Sequence, residues 1–186
     1  MLQSRNGAFA QAGTYMTIEE INSLDQEQFA GKLGFLFEGS PWIAEGAWHA
    51  RPFAGPDDLH HALCDVMYGA TQEQQVALIR AHPDLVGRAA LSGTLTPESS
   101  REQAAAGLDA LSPQEIATFG RLNEEYKARF GFPFVVCARE NKKESILAGF
   151  ASRMSNSRDE EIATALREVS KIAYLRLLDV MDGEQA

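Results

Sequence analysis

Only one stretch of the chain, FPFVVCA at 132–138, reads as β-like. A single short run with no partner run elsewhere cannot build a sheet, so extended chain or a helix start is expected there. Everywhere else the residues follow helix grammar. Thr17 with Glu20 and Asp25 with Gln28 have capping-box spacing, which predicts helices near 18–23 and 26–36. In SPW, Ser40 is read as an N-cap with Pro41 at the first helical position, opening a helix to about 49. Leu59, Ala62, Leu63, Val66 and Met67 then fall on one helical stripe. TQEQ opens the next helix, which carries Val76 and Ile79, reaches His82 and is stopped by Pro83.

Downstream, Ser99 or Ser100 is expected to head REQAAAGL. SPQE at 112–115 opens a long helix to about Phe130, with Ile116, Phe119, Asn123, Tyr126 and Phe130 on its stripe and Gly131 as its stop. NKKE caps a helix near 142–155. SRDE begins a last one over about 158–181, with Ile162, Leu166, Val169, Ala173, Leu177 and Val180 on one face. The expected fold is all-α, an irregular bundle of about eight helices. No repeat or linker divides it, so the reading is a single domain over 15–182, a loose leader at 1–14 and a short tail at 183–186.

Charge and cysteine usage exclude several functions. Asp and Glu number 26 against 17 Lys and Arg, and the net charge of −9 opposes attraction to nucleic acid or to anionic lipid. Neither partner is expected. Cys64 and Cys137 lie far apart, which argues against a disulfide framework or a zinc ribbon. No apolar run approaches the roughly 18 residues of a membrane span, and the opening residues lack a signal-peptide core. A cytoplasmic protein is the expectation.

Few polar residues lie where a helix would bury them. His82 sits at the edge of its stripe, in the last turn. There the helix C-terminus favours the imidazolium and burial disfavours it, so it is either a proton carrier near neutrality or a side chain that bonds a terminal carbonyl. Ser99 and Glu102 have the spacing of a capping box, but a helix N-terminus also seats anions, and Ser100 and Gln103 could add donors. Arg153 flanks an apolar face, where it can snorkel, pair with an acid, or clamp a carboxylate or ureide carbonyl. Asn123 reads as a satisfied core amide. His60, His61 and Cys64 lack a third ligand nearby, and no metal is expected.

In combination, FEGSPWIAEGAW with RPF, LIRAHPDL, LTPESSREQAAAGLDAL, LNEEYKARFGFPFVVCAREN, ESILAGFASRMSN and EVSKIAYLRL resemble the OHCU decarboxylase family over roughly residues 16–178. OHCU is 2-oxo-4-hydroxy-4-carboxy-5-ureidoimidazoline. The resemblance implies a helical, cofactor-free and homodimeric enzyme. It would act on a small ureide after urate oxidase and hydroxyisourate hydrolase, and would yield (S)-allantoin. It places the catalytic residues at His82, the acid/base, and Glu102 beside it. Substrate contacts would come from Pro83, from Ser99, Ser100, Arg101, Glu102 and Gln103, from Phe134, Val135, Val136, Cys137 and Ala138, and from Arg153. Glu102 next to the histidine would raise its pKa. The implied substrate holds its own electron sink, a ring C=N beside the carbon that loses CO2. The alternative from another class is a non-catalytic helical module that binds a ureide or a peptide.

Overall fold

The computed structural model describes residues 15–181, so the expectations for 1–14 and 183–186 lie outside it. The α-helices are α1 Ile18–Ser23, α2 Gln26–Leu33, α3 Trp42–Ala47, α4 Pro56–Gly69, α5 Gln72–Ala81, α6 Arg88–Leu91, α7 Pro97–Ala105, α8 Pro113–Phe130, α9 Lys143–Arg153 and α10 Arg158–Met181. Among the described residues there is no strand, and the fold is all-α. None of these helices is long and apolar enough to cross a membrane.

The starts of four helices follow from local chemistry. Reciprocal capping boxes form at Thr17/Glu20, Asp25/Gln28, Thr71/Gln74 and Ser112/Glu115, each satisfying amides that the first turn leaves free. Gly131, at φ +80°, ends α8 in the left-handed conformation that glycine adopts without a Cβ penalty.

Three boundaries depart from expectation. α2 ends at Leu33 and continues only as a 3-10 turn over Gly34–Leu36. Pro41, not Ser40, occupies the cap position of α3, which stops at Ala47 before a second 3-10 turn. α7 starts earlier than expected: Thr96 is its cap, with Pro97 at the first helical position, and its hydroxyl accepts the Ser99 amide at 3.2 Å. The short α6 was not signalled by any apolar periodicity.

α10 packs across α4, α5 and the 3-10 turn 34–36, while α3 bridges α2 and α4. The β-like run is extended over 133–137 and buried without a neighbouring strand. Buried backbone groups need partners, and here side chains supply them. Glu168 accepts the Cys137 amide at 2.8 Å, Arg153 donates to the Val135 carbonyl at 2.7 Å and Asn141 to the Cys137 carbonyl at 3.0 Å. Phe134 stacks on Phe150 of α9 at 3.9 Å between centroids, which holds the segment against the bundle.

Candidate active site

The C-terminus of α5, the middle of α7, the 134–138 segment and the C-terminal half of α10 converge on a small cleft. Its lining includes His82, Pro83, Ser99, Glu102, Gln103 and Arg176. Phe134, Val135, Val136 and Ala138 form the apolar wall, with Leu85 and Ile172.

His82 is the C-cap of α5, and its backbone turns to extended geometry there, as a residue before proline prefers. The residue is 8% exposed. Its Nδ1 donates to the Leu78 carbonyl at 3.0 Å, because a carbonyl can only accept. The neutral ring therefore carries a bare lone pair on Nε2. Burial is the largest influence on its pKa and lowers it below the ordinary histidine value. The Leu78 bond, Glu38 and Glu102 oppose this and Arg176 reinforces it. Glu102 does raise this pKa, as expected, but burial outweighs it and Glu38 together, and the net shift is downward.

The partner of Glu102 is Arg176, on α10 and only 3% exposed. The guanidinium grips Glu102 in a two-point pair, Nε to Oε1 at 2.7 Å and Nη2 to Oε2 at 2.9 Å. Nη1 reaches Glu38 at 3.0 Å and the Phe35 carbonyl at 3.1 Å. Nη2 also reaches the Ser99 hydroxyl oxygen at 3.4 Å, which leaves the Ser99 O–H free to donate to a ligand. Ser99 and Glu102 therefore do not form the capping box that their spacing suggested. Gln103 accepts the Val86 amide at 3.0 Å and donates to the Asp84 carbonyl at 3.4 Å, so it ties the loop after His82 to α7. The amide of Val136 has no partner among the described residues.

Several expected contact residues do not line the cleft. Ser100 and Arg101 are exposed on α7, and Arg101 pairs with Glu98. Cys137 is buried and does not line the cleft, its thiol pushed up to about 11 chiefly by burial. Arg153 stays outside as well. Its Nε bonds Glu161 at 2.6 Å, its Nη1 holds Val135 from behind, and its guanidinium covers the Phe134 ring at 4.2 Å. It braces the wall and pairs with an acid, one of the roles its position on the helix allowed. His60 and Cys64 meet Ser170 between α4 and α10.

Sequence reasoning missed Arg176 and Glu38. A signal for the first was present: Arg176 lies three residues after Ala173 and seven after Val169, on the stripe of the last helix. A charged residue on a buried face demands a partner. Glu38 stands inside the quoted FEGSPW motif but carries no periodic signal of its own.

Comparison with known proteins places the chain. The OHCU decarboxylase family model matches residues 22–178. A 2-oxo-4-hydroxy-4-carboxy-5-ureidoimidazoline decarboxylase of Halalkalicoccus jeotgali is 40% identical over 92% of this chain and 97% of its own length. That of Xenopus laevis is 40% identical over 91% and 97%. A uric acid degradation bifunctional protein of Bacillus subtilis is 37% identical over 89% of this chain, which spans 33% of it. Among solved structures, an (S)-allantoin synthase aligns with a TM-score of 0.71 at 26% identity, over 92% of this chain and 56% of the other. With a helical fold shared along its length and a family match over most of its residues, the chain belongs to the OHCU decarboxylase family of enzymes.

Proposed function

We propose that the protein decarboxylates OHCU to (S)-allantoin in urate degradation, with His82 as the acid/base. The family assignment supports the reaction, and the name of the Bacillus subtilis relative supports the setting. One observation carries the role of His82: its Nδ1 is committed to Leu78, so a neutral ring in the cleft has only Nε2 with which to act.

That state is a base. Nε2 takes the proton of the substrate hydroxyl. The C–C bond to the carboxylate breaks, its electron pair forms a double bond to the neighbouring ring carbon, and the displaced C=N pair goes to the ring nitrogen, which takes a proton from solvent. The alkoxide carbon then becomes the carbonyl, the double-bond pair takes up the proton held by His82 at the neighbouring, ureide-bearing carbon, and that neighbouring carbon becomes the stereocentre. The hydroxyl proton is thus returned to carbon on one face. Ser99 O–H and the Val136 amide orient the ureide and carboxylate, and the Arg176 guanidinium holds Glu102 and Ser99 in register. Such acid–base assistance contributes about 10² to 10⁴ in rate.

The chain's family also supports a homodimer, and its charge of −9 with two isolated cysteines supports a cytoplasmic setting. The test generates OHCU in situ from urate with urate oxidase and hydroxyisourate hydrolase, and follows circular dichroism. The (S)-allantoin signal should build up faster with the protein, with CO2 released and no ammonia. Ammonia would indicate an amidohydrolase instead, and an unaccelerated signal would remove the enzyme reading.

A further inference from the structure

A second hollow lies behind the cleft, between α6 and α8, and its lining includes Asp84, Val86, Leu91, Ile116, Asn123 and Lys127. The loop 83–87 is the wall between the two spaces. Pro83 and Leu85 face the cleft, whereas Asp84 and Val86 face the hollow.

This wall is held in an unfavourable shape. Val86 has φ +53°, a left-handed conformation that a β-branched side chain avoids. Gly87 follows it, and a Cβ there would lie 2.5 Å from that of Asp84. Such strain persists only where the surroundings over-determine it. From α7, Gln103 takes the Val86 amide. From α8, Asn123 Nδ2 donates to the Leu85 carbonyl at 2.8 Å, and Lys127, one turn further on, pairs with the Asp84 carboxylate at 2.8 Å.

Asn123 is 3% exposed, and its Oδ1 is buried with no partner among the described residues. An unmade bond of that kind destabilises the fold, and an apolar side chain on this stripe would avoid it. Because Oδ1 is shielded from solvent, it also offers nothing to a ligand in the hollow. What the amide does provide is one donor, aimed at the residue that faces the cleft on the other side.

We propose that Asn123 and Lys127 are positioning residues: from outside the cleft they fix the 83–87 wall and, through it, the seat of the His82 imidazole. The proposal rests on the reading of His82 as the acid/base. It predicts a split in the kinetics, because the groups that hold the substrate, Ser99 and Val136, are on other elements.

The test compares Asn123→Leu, which keeps the shape and removes the donor, with Lys127→Met at a part-exposed site. Lys127→Arg is the conservative variant, and Phe119→Leu is a core truncation on the same helix. Asn123→Leu and Lys127→Met should lower kcat about ten- to hundredfold, with KM changed by less than about threefold. Both should also shift the His82 nitrogen signals in ¹⁵N-histidine NMR. Lys127→Arg should restore most of kcat, and Phe119→Leu should lower Tm while leaving kcat and the signals in place. The proposal is overturned if kcat and the His82 signals stay unchanged in the first two variants, or if Phe119→Leu reproduces their loss. A wild type that gives no acceleration removes the functional reading alone. The imidazole signals need no turnover, and they still decide whether α8 sets the ring's position.

Discussion

An imidazole is useful in proportion to how firmly one of its nitrogens is committed, and His82 has only one left. The Leu78 carbonyl holds Nδ1, and burial holds the ring below its ordinary pKa in spite of Glu38 and Glu102. The consequence for stability has a definite sign. The folded state binds the proton less well than the unfolded chain, whose histidine titrates near 6.5. The contribution is therefore fully present above about pH 6.5 and is lost as pH falls toward the depressed folded value. His82→Gln removes this titration. Its Tm or urea midpoint should fall less steeply than that of the wild type between about pH 6.5 and 5, by up to about 1.4 kcal/mol per pH unit. The same variant should lose the (S)-allantoin signal at neutral pH while keeping its helical circular dichroism. Parallel stability curves for the two proteins would mean that His82 is not the group that resists protonation.

At the scale of elements, what was legible in the sequence is what neighbouring residues decide among themselves. Thr17, Asp25, Thr71 and Ser112 each meet a Glu or Gln three residues on, and all four boxes form where a helix start was expected. TPESSRE was ambiguous because it contains two overlapping starts, Thr96 before a proline and Ser99 before Glu102. The choice is made 74 residues away, where Arg176 claims the Glu102 carboxylate and leaves Thr96 to cap. The cleft was half legible for the same reason. His82, Pro83 and the Ser99–Gln103 element stand out in sequence, but the guanidinium that orders them comes from the far end of the chain. Arg153, on a comparable apolar flank, turned out to brace the wall. The cap itself can be tested. Thr96→Ala should cost about 0.5 to 2 kcal/mol in urea unfolding. Because Ser99 and Glu102 sit on the helix that the cap begins, the variant should also raise KM. Ser99→Ala, if the capping-box reading were right, would show the larger stability loss.

Across the whole molecule, the cleft wall depends on a polar knot that grips it from behind and does not line the cleft. Glu161, at 0% exposure on α10, receives Arg153 of α9, the Tyr126 hydroxyl of α8 and the Asn156 amide, while Arg153 also holds the Val135 carbonyl. Three helices and the extended segment thus share one buried carboxylate. Ion pairs of this kind add little over an apolar equivalent, because desolvation offsets their attraction, yet removing one partner strands the other. Arg153→Met should therefore cost about 3 to 5 kcal/mol, equivalent to roughly 6 to 20 °C in Tm for a chain of this size. Adding Glu161→Gln to Arg153→Met removes the stranded charge and should recover a large part of that loss. The Val135 carbonyl stays without its donor in both variants, so KM should stay raised in the double variant even as Tm returns. Thermal unfolding and steady-state kinetics on the two proteins separate these effects. A double variant no more stable than Arg153→Met would show that the knot acts through the guanidinium's contacts with Phe134 and Val135 and not through charge.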